Sequence, residues 1–155
     1  MITLCFFVLG AACLLLAWID FREGIIPDWL NLGIAALGAI RAMAIGGWSM
    51  LADSIVEAVL VGAVVWLLRR LYFKLRNMQG LGLGDVKLLA ASALWVGVSG
   101  IPLQLLIASV AALATAATLR VAGQEMTRQT ALPFGPFLAL GLLVALVLQQ
   151  SGWSG

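Results

Sequence analysis

Seven carboxylates carry nearly all the chemistry open to this chain: Asp20, Glu23, Asp28, Asp53, Glu57, Asp85 and Glu125. There is no histidine, which excludes a Ser/His/Asp triad, a Cys/His dyad and every His-ligated zinc or haem site. The two cysteines, Cys5 and Cys13, form no CxxC pair; they offer neither a disulfide framework nor a Cys-ligated zinc site and read as plain helix residues. Lys87 could activate a serine, but only Ser92 is near it, in the middle of a predicted helix. Carboxylate chemistry remains: one acid ionised as a general base and another protonated as a general acid, with no metal and no cofactor required.

One acid stands out by its setting. Gly80, Gly82 and Gly84 alternate in GLGLGD immediately before Asp85. Glycine at such a spacing weakens regular helix and lets another backbone approach closely. A protease needs that, because its substrate must lie extended beside the catalytic group; a flexible linker would also show it.

The elements that hold these residues are set by composition. Of 155 residues, 63% are hydrophobic and 10% charged, and the mean hydropathy is +1.10. A soluble domain is roughly 45–50% apolar and about 25% charged, so a water-soluble fold is excluded. Crossing a hydrocarbon core of about 30 Å takes roughly 20 apolar residues, and the chain has room for about six passes. The predicted fold is a single all-α, polytopic membrane domain over 1–155. Its helices cover 2–19, 29–46, 51–68, 85 to just before 100, from there to about 120, and 132–148. The breaks are residues 20–28, the glycine turn at 46–47, a polar link at 69–84, Gly100-Ile101-Pro102 and a second polar link at 121–131. Pro27 is well placed near a helix start.

With six helices the ends alternate between faces. One face takes Arg22, Arg69, Arg70, Lys74, Arg76, Lys87, Arg120 and Arg128; of the nine basic residues only Arg41 lies nearer the other. By the positive-inside rule that face is cytoplasmic and both termini lie on the far side. Trp18, Trp29, Trp48, Trp66, Trp95 and Trp153 fall near helix ends, as an interfacial belt requires. Asp20 and Asp85 then share one membrane depth and could meet. Ionisable groups there are costly and usually functional. The alternative is two ordinary interfacial acids, Asp20 answered by Arg22, and Asp85 capping its helix beside Lys87. Asp53 and Glu57, one helical turn apart near the outer face, read as interfacial.

The GLGLGDVKLL stretch at 80–89 resembles the GxGD motif of the type IV prepilin peptidase family of membrane aspartic proteases. Asp20 with Ile26-Pro27-Asp28-Trp29-Leu30-Asn31 resembles the family's first catalytic segment, and PFGPFLALG at 133–141, with Pro133, Gly135 and Pro136, resembles its last-helix motif. The resemblance implies Asp20 and Asp85 as the catalytic pair, with Gly80, Gly82, Gly84, Lys87, Pro27, Asp28, Pro133, Gly135 and Pro136 as motif or substrate-binding positions. Larger relatives carry an N-terminal tetracysteine domain associated with methylation. The expectation here is the short, peptidase-only form, which cleaves without methylating.

The implied substrate is a prepilin-like or preflagellin-like protein, cut between a basic cytoplasmic leader and an apolar membrane helix; Glu23, Asp28 or Glu125 could receive that leader. The implied setting is the inner membrane, with the bilayer and the protein substrate as partners and no nucleic acid. Asp85 at a helix N-terminus and Asp20 at a C-terminus suggest Asp85 as base and Asp20 as acid. The rival function class is a small transporter or a pilus-assembly subunit whose paired acids are not proteolytic.

Overall fold

A backbone lying in hydrocarbon finds no water to bond, so it must satisfy itself within helices or a closed barrel. The computed structural model describes residues 2–76, 81–122 and 133–152 and is all-helical over them: α1 (Ile2–Glu23), α2 (Asp28–Arg76), α3 (Leu83–Val121) and α4 (Gly135–Gln150). α1, α2 and α3 are each long and apolar enough to cross a membrane, and α4 is a shorter apolar helix. Phe7, Leu14, Val56 and Leu113 stay exposed, so these helices lack the one-sided stripe of a soluble protein and suit a lipid surround.

Straight, the 49 residues of α2 would span about 73 Å, more than twice a bilayer core. At Gly47 the backbone leaves helical geometry (φ 67°, ψ −152°). The chain turns back there, because Asp28 and Trp66, about 57 Å apart on a straight helix, line one groove. α3 breaks likewise at Gly97 (φ 70°, ψ 173°), and Gln104 Nε2 returns to within 3.0 Å of Ser92 Oγ. Four helices, two of them broken once, make six helical arms.

The predicted turn at 46–47 therefore stands, whereas the one at 100–102 falls earlier, at Gly97. The reversal needs a positive φ, which glycine adopts freely and proline's ring forbids. Pro102 is carried inside α3, past the break. Three of the backbone groups beside Gly97 are answered from other elements. Arg41 Nη1 donates to Trp95 O (3.4 Å), Gln149 Nε2 to Val96 O (2.9 Å), and Val98 N–H to Glu57 Oε2 (3.0 Å). Glu57, expected to be merely interfacial, caps the second arm of α3.

Several helices outrun their predicted ends. The first reaches Glu23, the third Arg76 and the fifth Val121. Arg69, Arg70 and Lys74 are good helix formers whose stems can lie along apolar surface, and the Arg70 guanidinium sits 5.2 Å over the Trp66 ring. The last helix begins at Gly135 rather than 132, with Phe134 as its N-cap and Pro136 in its first turn, where a missing N–H costs little. Trp95 leaves the expected interfacial belt. It is 3% exposed and donates from Nε1 to Ile34 O at 2.9 Å. Residues 77–80, 123–132 and 153–155, which include Gly80, Glu125, Arg128 and Trp153, lie outside the described residues.

α3 packs on α2 and α4, and α1 packs on α4 and α2. Leu9, Leu16, Ile34, Leu88, Leu89, Leu138 and Leu142 form the sealed core, with Cys5 and Cys13 buried in it as free thiols. Gly141 allows a close helix approach: a Cβ there would come within 2.5 Å of Gln104 O.

Candidate active site

Asp20 stands in the last turn of α1, which closes when Gly24 N–H donates to Asp20 O at 2.8 Å. Its side chain is answered from the far end of the sequence, where Gly135 N–H donates to Asp20 Oδ2 at 3.0 Å. Asp85 is the third residue of α3, and its Oδ2 accepts the N–H of Gly82, the N-cap, at 3.2 Å. Such a reach back from the third position satisfies a donor that a helix start otherwise leaves orphaned. Both acids are buried, Asp20 to 5% exposure and Asp85 to 8%. They line one cavity of about 760 Å³ together with Ile26, Gly82, Gly84 and Pro133.

Ile26 lies between the two backbones that serve the acids. A Cβ on Gly84 would stand 2.8 Å from Ile26 Cβ; one on Gly135 would stand 3.0 Å from Ile26 Cδ1 and 2.5 Å from Asp20 Oδ2. Glycine is thus required at both positions for close approach, not for an unusual φ. The glycine-rich entry to α3 is held from outside as well. Arg69 Nε donates to Leu81 O at 2.7 Å, and Asn31 Nδ2 to Gly84 O at 3.4 Å.

The electrostatic asymmetry expected between the acids is offset at Asp20. Asp85 sits at the start of its own helix, while Asp20 ends α1 but bonds the first residue of α4. Each carboxylate therefore faces a helix N-terminus, a setting that favours an anion by about 0.3–1 kcal/mol, up to about 2 when partly buried. The assignment of base and acid by helix dipoles loses its footing, because the donor to Asp20 comes from a different element. Among the described residues, no group of three or more His, Cys, Asp and Glu side chains is placed to hold a metal ion.

The profile of a family described as "Type IV leader peptidase family" matches residues 7–117, which include both acids and more than half of the chain. The chain belongs to the type IV leader peptidase family. It is 36% identical over 140 residues to a "Prepilin leader peptidase/N-methyltransferase" of Burkholderia pseudomallei, covering 87% of this chain and 43% of that one. Proteins of the same name from Escherichia coli K12 (37% over 135 residues; 86% and 58%) and Neisseria gonorrhoeae (32% over 153 residues; 98% and 51%) are similar to it too. The chain spans about half the length of these curated relatives. No solved structure matches it.

Within this family member the residues named from sequence sort by place. Asp20, Asp28, Gly82, Gly84, Asp85, Lys87 and Pro133 line the one cavity, and Gly135 bonds Asp20. Pro27 O accepts from Leu30 and Asn31 at the start of α2, and Pro136 stands in the first turn of α4. Gly80 lies outside the described residues. Asp20 does not pair with Arg22, whose guanidinium lies 4.8 Å over the Trp18 ring; among the described residues the one ion pair is Lys87–Asp28, at 2.6 Å and exposed. Lys87 and Ser92 do not meet, since Ser92 is sealed in against Gln104. Ile26 and Asn31 stand in the sequence only as part of the segment after Asp20, and Arg69 only within a polar link; none is singled out there as a site residue. The one available signal was the glycines at 84 and 135, which demand that something press against them.

Proposed function

We propose that the protein is a membrane aspartic endopeptidase that removes the short leader of type IV prepilin-like or preflagellin-like precursors at the cytoplasmic boundary of the inner membrane. The observation that carries this reading is the meeting of Asp20 and Asp85, 65 residues apart in sequence, in one cavity with a backbone N–H on each.

Two carboxylates so placed cannot both ionise cheaply, so the pair holds one proton and titrates as a unit. The ionised member takes a proton from a water that attacks the scissile carbonyl. The protonated member polarises that carbonyl and then gives its proton to the leaving amine. Gly82 and Gly84 line the cavity beside Asp85, where an extended substrate backbone would lie, while Glu23 and Asp28 offer negative charge to a basic leader.

Six crossings with both termini outside the cytoplasm complete the reading, supported by the reversals at Gly47 and Gly97. Arg22 and Lys87 line the cavity and Arg69 binds beside it, whereas Arg41 sits with Trp95 near Gly97. This segregation supports a cytoplasmic site. A transporter would place its acids near interrupted helices at mid-membrane; here the interruptions lie at the far end from the acids.

The test is co-expression with candidate precursors and a mobility assay. Asp20→Asn and Asp85→Asn should each lower cleavage by about 100- to 10,000-fold, the usual worth of a general acid or base, with membrane insertion intact. Asp53→Asn should cleave normally. Near-normal processing by either dyad variant would sink the aspartic-protease reading.

A further inference from the structure

A second concavity adjoins the cavity of the acids. It is a groove of about 820 Å³ formed by both arms of α2 and the beginning of α3. Leu32, Val59 and Trp66 stand in its walls, and small residues such as Ala35, Ala63 and Ala90 keep its surface low. At its floor the arms touch: a Cβ on Gly62 would stand 3.2 Å from Ala90 Cβ. Small residues of this kind allow an incoming helix to approach closely in a membrane.

The polar residues of the groove are Asp28, Asn31 and Lys87, all near one end, and Asp28 and Lys87 line the catalytic cavity as well. Groove and cavity are therefore continuous across the Lys87–Asp28 pair. That pair is exposed, so it adds little and can open at little cost. Asn31 is 5% exposed, and while its Nδ2 reaches Gly84 O, its Oδ1 has no hydrogen-bond partner among the described residues.

We infer that this groove seats the apolar helix of the protein substrate and delivers the chain beyond that helix, past Lys87 and Asp28, to the two acids. The inference rests on the leader-peptidase reading above. A lipid tail would use the apolar walls alone. A helix whose first turn lies at the polar end brings orphaned backbone N–H groups, each costly to leave unpaired in hydrocarbon. An acceptor without a donor at that end, and a passage to the acids, suit such a helix and serve nothing in a lipid tail.

Val59→Trp and Ala63→Trp fill the groove from exposed positions outside the catalytic machinery. Each should lower kcat/KM for a full membrane-embedded precursor by about 10-fold or more, because remote binding energy is lost, and leave cleavage of a short soluble peptide spanning the scissile bond within about 2-fold. In parallel, with an added thiol oxidant, Ala63→Cys should form a disulfide with a cysteine in the precursor's apolar segment, and Phe7→Cys, on the outer surface of α1, should not. Unchanged cleavage of the precursor, or equal cross-linking at both positions, would mean that lipid fills the groove and would overturn the inference. Equal loss on precursor and peptide would also overturn it, marking a structural effect. If the unaltered protein cuts neither substrate, the leader-peptidase reading itself fails.

Discussion

Glycine at 135 matters because of one oxygen atom. Asp20 Oδ2 takes the Gly135 N–H, and the same oxygen stands 2.5 Å from where a Cβ would be. A methyl group there must displace the carboxylate or the start of α4. We expect Gly135→Ala to lower cleavage by about 10- to 100-fold, since misplacing a catalytic group by roughly 1 Å costs that order of rate, with expression and folding retained. Gly33→Ala is the matched control. A Cβ at 33 meets nothing within 4 Å, and alanine in a helix interior stabilises by about 0.5–1 kcal/mol over glycine. Precursor cleavage in membranes of the two variants separates the cases, and equal activity would show that the 135 contact has no part in the chemistry. At this scale Asp85 was legible from residue type and flanking glycines, and Asp20 from its place at a predicted helix end and the resemblance of its segment. The partner of Asp20 was not, because a backbone N–H leaves no mark in the sequence.

The helical elements show how reversals are built where water is absent. Beside the break in α3 at Gly97, Arg41, Gln149 and Glu57 answer two carbonyls and an N–H from α2 and α4. Glu57 acts as a helix cap supplied from another element. Glu57→Ala should therefore cost about 0.5–2 kcal/mol, as loss of a capping side chain does, and Glu57→Gln, which keeps an acceptor oxygen, should recover most of it. Thermal unfolding in detergent measures this, and an alanine variant as stable as the parent would refute the capping role. Gly97→Ala should add strain of about 1–2 kcal/mol, because L-residues resist a positive φ. Helix existence was legible at this scale from apolar runs. The position of the second reversal was not: Gly100 and Pro102 carry stronger turn signals than Gly97, and only packing decides which glycine must bend.

For the whole molecule, six arms and three straight crossings make different predictions about accessibility. If α2 reverses at Gly47, that residue lies at one membrane face and Arg70 and Lys74 at the other; if α2 ran straight, Arg70 and Lys74 would sit about 63 and 69 Å from the start of the helix at Asp28, beyond the face that Gly47 reaches. Arg70→Cys and Lys74→Cys should be labelled by an impermeant thiol reagent only from the cytoplasm, and Gly47→Cys only from outside. The native thiols should contribute little background, because Cys5 and Cys13 are buried. Labelling of Gly47→Cys from the cytoplasm, or from neither side, would contradict the six-crossing topology and the cytoplasmic placement of the acids.

Much about this protein was settled by composition and order alone. A chain with 63% hydrophobic residues has to satisfy its backbone internally, which makes it helical, and the absence of histidine leaves carboxylates as its acid–base groups. The glycines of the GxGD stretch were readable because close backbone approach demands them, and the segments around Asp20 and Gly135 because they resemble motifs of the leader peptidase family. Tertiary structure alone decided that Gly135 donates to Asp20, that Ile26 stands between Gly84 and Gly135, that Lys87 pairs with Asp28, and that Trp95 is interior. Each of these joins residues from separate elements. Such contacts follow from how six apolar arms settle against one another, and helices that are apolar on every side carry no stripe from which that arrangement could be read.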